Sequence, residues 1–232
     1  MSDNSLVTSV PNISDSRPIL VIPVGSFEQH GPHLPLDTDT QIALSIAHTA
    51  TESLCREGIH LVLGPTIAVS ASDEHRGFPG TLSIGTEGCA ALFVAVARSA
   101  TWARGVIFVN GHGGNADAIR IAAQELHDED VLHAFWSVSG FPDNDSHAGC
   151  AETSLMLHIA PHTVQTEKFE VGNTQPLADI MPAMRHDGVA GVSPNGVLGD
   201  PREATAQYGA ELFARNVKSL IMLVTQCHSQ WA

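Results

Sequence analysis

The stretch VIFVNGHGGN, residues 106–115, decides the fold because it joins the clearest buried strand of the chain to a polar turn. Residues 106–109 are all apolar, which is typical of a strand covered on both faces of a parallel sheet. The glycines at positions 111, 113 and 114 let the backbone of the turn approach its neighbours closely. We therefore expect His112 to lie at the carboxyl edge of a sheet.

Segments typical of strands and helices alternate along the rest of the chain, and the links are long enough for crossovers. Strands are predicted at residues 19–24, 59–64, 106–111 and 132–138. Helices are predicted at residues 40–56, 86–104, 116–127, 151–159 and 202–227, with an irregular proline- and glycine-rich segment at 160–202. The alternation predicts one domain at residues 18–232, a three-layer α/β/α sandwich with a mostly parallel sheet, after a flexible tail at 1–17.

The composition excludes several classes of partner. Apolar residues make up 43% of the 232, enough for a sizeable core, and the net charge is −14. Such a charge repels phosphate backbones and anionic lipid, so we expect no nucleic-acid or membrane partner. The four cysteines form no CxxC pair, and the first sixteen residues contain no lysine or arginine, so a reduced, cytoplasmic location is expected.

Three polar loops follow predicted strands and should therefore meet at one edge of the sheet. They are GSFEQHGPH after the first strand, NGHGGN after a central strand and DNDSHAG after another. Ligands and catalytic groups gather at the carboxyl ends of strands in such sheets. This edge is the predicted functional site.

The first of these loops continues into the richest polar stretch, VGSFEQHGPHLPLDTDT at residues 24–40. Glu28 and His30 are two apart, so they point the same way on an extended chain, and His33, Asp37 and Asp39 follow. Imidazole nitrogen and carboxylate oxygen suit zinc and similar divalent metals, and one carboxylate can bridge two ions. The alternative interpretation is an ordinary polar turn in a chain that contains thirteen histidines.

Four motifs, PVGSFEQHGPHLPLDTD, GFPGT, VNGHGGN and HAGCAETSLML, occur in this order and resemble the creatininase family of metal-dependent amidohydrolases. The resemblance spans roughly residues 19–228 and implies the family's fold, a homo-oligomer and two divalent metal ions per subunit, zinc and/or iron(II) or manganese. It implies that Glu28 binds one ion, that His30 binds the other, that Asp39 bridges them and that His112 completes one site. His33 and Asp37 are not ligands in the family pattern.

The sequence departs from creatininase at one ligand, because the glutamate expected two residues after His112 is Gly114 here. We expect Glu152 to be the remaining ligand, and the alternative is an outer or helix-capping acid. His147 matches the family's catalytic histidine and could act as a general acid or base beside the metals, with Glu152. Asn110 and Asn115 are expected to bond neighbouring backbone or to orient the ligands.

The last of these motifs also admits a second mechanism. Cys150 lies three residues after His147, which invites a cysteine–histidine nucleophile, although a small buried thiol is the simpler interpretation. No GxSxG serine motif is present, and HGGN lacks the lysine of a phosphate-binding loop. Metal-assisted hydrolysis needs neither a serine nor a cysteine nucleophile.

The segment GVAGVSPNGVLGDPREATA, residues 188–206, resembles the family's mycofactocin-pathway branch most closely. That resemblance implies a peptidase that releases a C-terminal Val-Tyr-derived unit from a modified precursor peptide. Alternatives are a hydrolase of a small cyclic amide or formamide, a non-catalytic metal-binding protein, and a structural subunit. Arg76, with Glu74 and His75, is a candidate for substrate binding, and a solvated surface arginine is the alternative. Residues 160–200 are expected either to pack between subunits or to close over a site.

Overall fold

A computed structural model describes residues 17–231 and contains a four-stranded parallel sheet. The strands are β1 (Ile19–Val24), β2 (Leu61–Leu63), β3 (Gly105–Asn110) and β4 (His133–Ser137), in the order β2-β1-β3-β4. All four lie where the apolar runs predicted them, and every pairing is parallel. The predicted tail at 1–17 lies outside the described residues except for Arg17.

Helices cover both faces of the sheet, which confirms the α/β class. They are α1 (Thr38–Arg56), α2 (Gly85–Ser99), α3 (Ala116–Asp128), α4 (Cys150–Ile159), α5 (Leu177–Val192) and α6 (Ala206–Gln230). One core cluster joins one face of the sheet to α1, α4 and α6, and a second joins the other face to α2 and α3. Alternate residues of β1 enter different clusters, so the strand is apolar throughout.

The prediction of an irregular segment at 160–202 is wrong for its second half, because α5 occupies residues 177–192. Pro182 lies inside this helix, and Gly188, with φ 71°, breaks it into two helical pieces. Both residue types are typical of loops, so local sequence hides the helix. Its buried residues Ile180 and Val189 pack against Leu198 in a small separate cluster, a tertiary contact that no local pattern reveals.

Two helix ends also differ from the prediction. The second helix ends at Ser99 rather than near residue 104. The last helix begins at Ala206 rather than near 202, because a 3₁₀ turn at Pro201–Glu203 precedes it. Thr205 caps the helix by accepting a hydrogen bond from the Tyr208 backbone N–H at 3.2 Å.

The ends of β1 and β3 create the functional edge. Val24 pairs with Asn110, so the loops after both strands leave the sheet side by side. Gly111 lets α1 approach this edge, because a Cβ there would lie 2.5 Å from the backbone oxygen of Asp39. The first turn of α1 therefore reaches the turn that carries His112. No helix within residues 17–231 is long and apolar enough to cross a bilayer.

Candidate metal centre

Four of the predicted ligands come together from three segments. Glu28 and His30 follow β1, Asp39 lies in the first turn of α1, and His112 follows β3. His112 Nδ1 lies 3.0 Å from Asp39 Oδ2 and 3.3 Å from Glu28 Oε1. His30 Nε2 lies 3.2 Å from Asp39 Oδ1. All four side chains are at most 4% exposed, so the cluster is shielded from bulk water.

Asp39 lies at the middle of this cluster and contacts a different histidine with each carboxylate oxygen. Oδ1 is near His30 and Oδ2 is near His112, and Ser26 Oγ donates a hydrogen bond to Oδ2 at 2.8 Å. One group with metal-binding spacing contains Glu28, Asp39 and His112. A carboxylate between two imidazoles is the arrangement that a bridging ligand requires.

Glu152, the proposed remaining ligand, lies on the His30 side of Asp39. Its Oε2 is 4.0 Å from His30 Nε2, and a second group with metal-binding spacing consists of His30, His147 and Glu152. The same oxygen accepts a hydrogen bond from the Ala148 backbone N–H at 2.6 Å, before the first turn of α4. Glu152 therefore faces His30, whereas Asp145 accepts the hydrogen bonds of the first backbone N–H groups of α4, so the helix-capping interpretation of Glu152 is not supported.

The glycine at 114, where the family resemblance led us to expect a glutamate, has a structural reason. A Cβ at this position would overlap the carboxylate of Glu74 and the imidazole of His112. Glu74 Oε1 lies 3.5 Å from His112 Nε2, on the side of the ring that faces away from Asp39. The carboxylate of Glu74 therefore occupies space that a side chain at 114 would need.

His147 and His75 add two further imidazoles to the cluster. The Nε2–H of His147 donates to the backbone oxygen of Gln29 at 2.9 Å, and its Nδ1 lies 3.8 Å from Glu28 Oε1. His75 Nε2 lies 3.3 Å from the same Glu28 oxygen, and His75 is buried. His75 was expected only as a substrate contact, but Glu28, His75 and His147 also have metal-binding spacing.

Gln29 is a residue of the centre that sequence reasoning missed. Its side-chain nitrogen lies 2.9 Å from His75 Nδ1 and donates to the backbone oxygen of Gly196 at 3.1 Å. Its side-chain oxygen accepts a hydrogen bond from the Gly31 N–H at 2.8 Å. The two-residue spacing that indicates Glu28 and His30 as ligands does not select the residue between them. Gln29 ties the first loop to the segment at residue 196.

The electrostatics of the cluster are those of a site for cations. Burial raises the pKa of Glu28 to about 7 and that of Glu152 to about 8, and the charge of Asp39 adds to both shifts. Burial alone would lower the pKa of His30 and His112, but nearby carboxylates outweigh it and raise them to about 9 and about 10. Despite burial, the two imidazoles hold the pKa of Asp39 well below its usual range.

The donor set fits a divalent metal. Both carboxylate oxygens of Glu28 are buried without a hydrogen bond from any described residue. A buried carboxylate without hydrogen bonds is costly, and a cation relieves that cost. Imidazole nitrogens beside carboxylate oxygens are the ligands that zinc, iron(II) and manganese share.

Three further polar residues from the sequence analysis lie around the cluster and bond other groups. Asn110 Nδ2 donates to the His112 backbone oxygen at 2.7 Å, and Asn115 Nδ2 donates to Asn110 Oδ1 at 2.9 Å. Both asparagines therefore fix the backbone that presents His112. His33 bonds Thr153 Oγ1 at 2.9 Å, away from the cluster.

A cavity of about 340 Å³ opens onto the cluster. Asp39, His112, His147 and Glu152 line it, as do Glu74 and His75. Arg76 does not line it, because its side chain is 72% exposed and pairs with Asp73 Oδ1 at 2.9 Å. The structure thus brings Glu74 and His75 to the site and leaves Arg76 outside.

The thiol of Cys150 is not part of this cavity. Its sulfur lies 4.0 Å from Ser154 Oγ, and burial raises the pKa of the thiol. An activated cysteine nucleophile requires the opposite shift. The geometry gives no support to a cysteine–histidine mechanism.

Comparison with known proteins assigns this geometry to a family. The family model described as "Creatininase: Creatinine amidohydrolase" matches residues 6–224. The mycofactocin precursor peptide peptidase of Mycolicibacterium smegmatis is 50% identical over 202 residues, covering 86% of this chain and 81% of the relative. The protein of the same name from Mycobacterium tuberculosis is 47% identical over 220 residues, covering 92% and 87%.

Solved structures show the same fold. A Bacteroides fragilis protein named for creatinine amidohydrolase has a TM-score of 0.77 at 25% identity, covering 92% of this chain and 90% of the other. A manganese form of creatininase has a TM-score of 0.72 at 20% identity, covering 90% and 91%. A zinc–zinc form of a creatininase variant has a TM-score of 0.71 at 23% identity, covering 90% of each chain.

Proposed function

Because the chain belongs to the creatininase family, we propose that it is a metal-dependent peptidase that hydrolyses an amide bond of a modified mycofactocin precursor peptide. The unit that it releases is the C-terminal Val-Tyr-derived one. The observation that carries the proposal is the buried carboxylate of Asp39 between two imidazoles at the floor of an open cavity. Relatives named mycofactocin precursor peptide peptidase, 47–50% identical over most of both chains, support the substrate.

The residues present fit two divalent ions per chain. Glu28, Asp39 and His112 would hold one, and His30, Asp39 and Glu152 would hold the other. We propose zinc and/or iron(II), with manganese as a further candidate, and the manganese and zinc–zinc forms of creatininase support this choice. When bound, such ions lower the pKa of water and polarise a carbonyl group.

The chain's own groups orient the reaction and move the proton. Asp39 fixes the spacing of His30 and His112 through its two oxygens. His147 is held by the Gln29 backbone oxygen through Nε2, so Nδ1, which lies 3.8 Å from Glu28 Oε1, is the ring nitrogen that would carry a proton to the leaving nitrogen. Burial of the cluster keeps bulk water from competing with the substrate.

A substrate comparison tests this function. Purified protein is incubated with the modified precursor peptide, with creatinine and with a formamide, and products are followed by mass spectrometry. We expect release of the C-terminal unit with a kcat/KM at least about 100-fold above that for either small amide. Faster hydrolysis of creatinine or of the formamide would place the protein in another branch. Metal-loaded protein that hydrolyses none of them would be a non-catalytic binder.

The proposal extends to assembly, location and partners. The family resemblance supports a homo-oligomer, and four cysteines without a CxxC pair support a reduced, cytoplasmic location. The net charge of −14 supports the absence of nucleic-acid and membrane partners. The peptide is the one partner that the relatives' names support.

A further inference from the structure

We propose that the cavity-facing side of α5 binds the aromatic ring of the released unit and so gives the enzyme its preference for an aromatic C-terminal residue. This wall consists of Leu177, Met181, Met184 and Arg185. The inference rests on the proposed peptidase function and adds the determinant of its specificity.

The wall and the candidate metal ligands line one continuous cavity. Leu177, Met181 and Met184 are spaced by four and three residues, which places them on one face of the helix. A group bonded to an amide at the ligand cluster therefore has α5 as its neighbour. The irregular segment predicted from the sequence thus borders the site of its own chain.

The position of α5 is fixed by packing. Ile180 and Val189 are buried against Leu198. At Gly188, where φ is 71°, a Cβ would lie 2.8 Å from the backbone oxygen of Glu74. The helix therefore lies directly against the loop that carries Glu74 and His75. A wall held this closely to the site can discriminate between substrates.

The charges of the side chains along the wall do not favour an anionic occupant. Arg185 is the one lysine or arginine among the described lining residues. Four acids share the lining: Asp39, Glu74, Asp117 and Glu152. Asp39 and Glu152 are proposed metal ligands whose charges the ions would balance, which leaves Glu74 and Asp117 near Arg185, so a neutral ring carries no charge penalty at this wall. Methionine sulfur and a guanidinium group both contact aromatic rings favourably, so the wall has the chemistry of an aromatic subsite.

The wall is longer than the unit to be released. Eight residues of helix separate Leu177 from Arg185, which corresponds to about 12 Å along the axis. Two extended residues span about 7 Å. The wall is therefore long enough to lie alongside both residues of the unit, and a cavity of about 340 Å³ accepts a ligand of this size.

Product analogues test the wall without requiring that they be cleaved. Valyl-tyramine and valyl-ethylamine differ only by the hydroxyphenyl ring, and each is used as a competitive inhibitor of modified-peptide hydrolysis. In the wild type we expect valyl-tyramine to bind about tenfold or more tightly than valyl-ethylamine. In the Met181→Ala/Met184→Ala variant the two inhibition constants should agree within about threefold, because the ring loses its apolar contacts.

Met222→Ala is the matched control, since Met222 is 65% exposed on α6 and lies outside the cavity. It should retain the wild-type preference. Arg185→Gln keeps both methionines and should reduce the preference by about threefold through loss of the cationic contact. Circular dichroism verifies folding, and calorimetric binding of the two analogues replaces inhibition for a variant with too little activity.

Two results would contradict the proposal that α5 binds the aromatic ring. One is a wild type that binds both analogues equally well, and the other is a double variant that keeps the preference for valyl-tyramine. A wild type that does not hydrolyse the modified peptide would instead contradict the proposed function. The two failures are therefore distinguishable.

Discussion

Replacing Asp39 with asparagine is expected to lower kcat/KM by at least about 10⁴-fold, the largest effect of any single change in the site. Both proposed metal sites share this carboxylate, whose oxygens face His30 and His112. Asparagine keeps the shape but removes the negative charge and one acceptor oxygen. We expect metal content to fall together with activity, measured by elemental analysis and by peptide hydrolysis on the same sample.

Asp37→Asn is the matched control for this change. Asp37 lies two residues earlier and accepts a hydrogen bond from Gln41 Nε2 at 2.8 Å, outside the ligand cluster. The control should retain wild-type metal content and activity, with at most a small loss of stability from the start of α1. An Asp39→Asn variant as active as this control would contradict the proposal that both ions share Asp39.

Replacing His147 with glutamine is expected to lower kcat by about 10²–10⁴-fold, the usual contribution of a positioned acid or base. Glutamine can still donate to the Gln29 backbone oxygen but cannot carry a proton through the position of Nδ1. Metal content and KM should change little, because the ligand cluster remains. Steady-state kinetics and elemental analysis measure the two properties separately.

The spacing of His147 to His30 and Glu152 gives this experiment a second informative outcome. Loss of an ion along with activity would make His147 a ligand rather than a proton carrier. Cys150→Ala is the control for the thiol and should leave kcat at the wild-type value. A loss comparable to that of His147→Gln would restore the cysteine–histidine mechanism.

The sheet and the cluster of Glu28, His30, Asp39 and His112 could be predicted because both follow from local signals. Apolar runs mark the strands, and parallel strands bring the residues after their carboxyl ends to one edge. The position of Asp39 also depends on the close approach of the start of α1 to Gly111. Family resemblance gave roles to these residues that spacing alone left open.

The rest of the site depends on long-range packing. His75 reaches Glu28 because a 3₁₀ turn at Asp73–His75 places it there, and no periodicity predicts where that turn docks. The helix α5 contains Pro182 and Gly188, so local propensity favours a loop, and burial of its apolar residues against other segments overrides it. Arg185, rather than Arg76, reaches the cavity for the same reason.

Metal stoichiometry paired with reconstitution tests the central claim most directly. Purified protein is analysed for zinc, iron and manganese, stripped with a chelator, assayed on the modified peptide, and refilled with one metal at a time. We predict about two ions per chain before chelation, no measurable hydrolysis after it, and recovery of activity as two equivalents of a single metal return. Full activity in the stripped protein, with no ion bound, would contradict a metal-dependent peptidase.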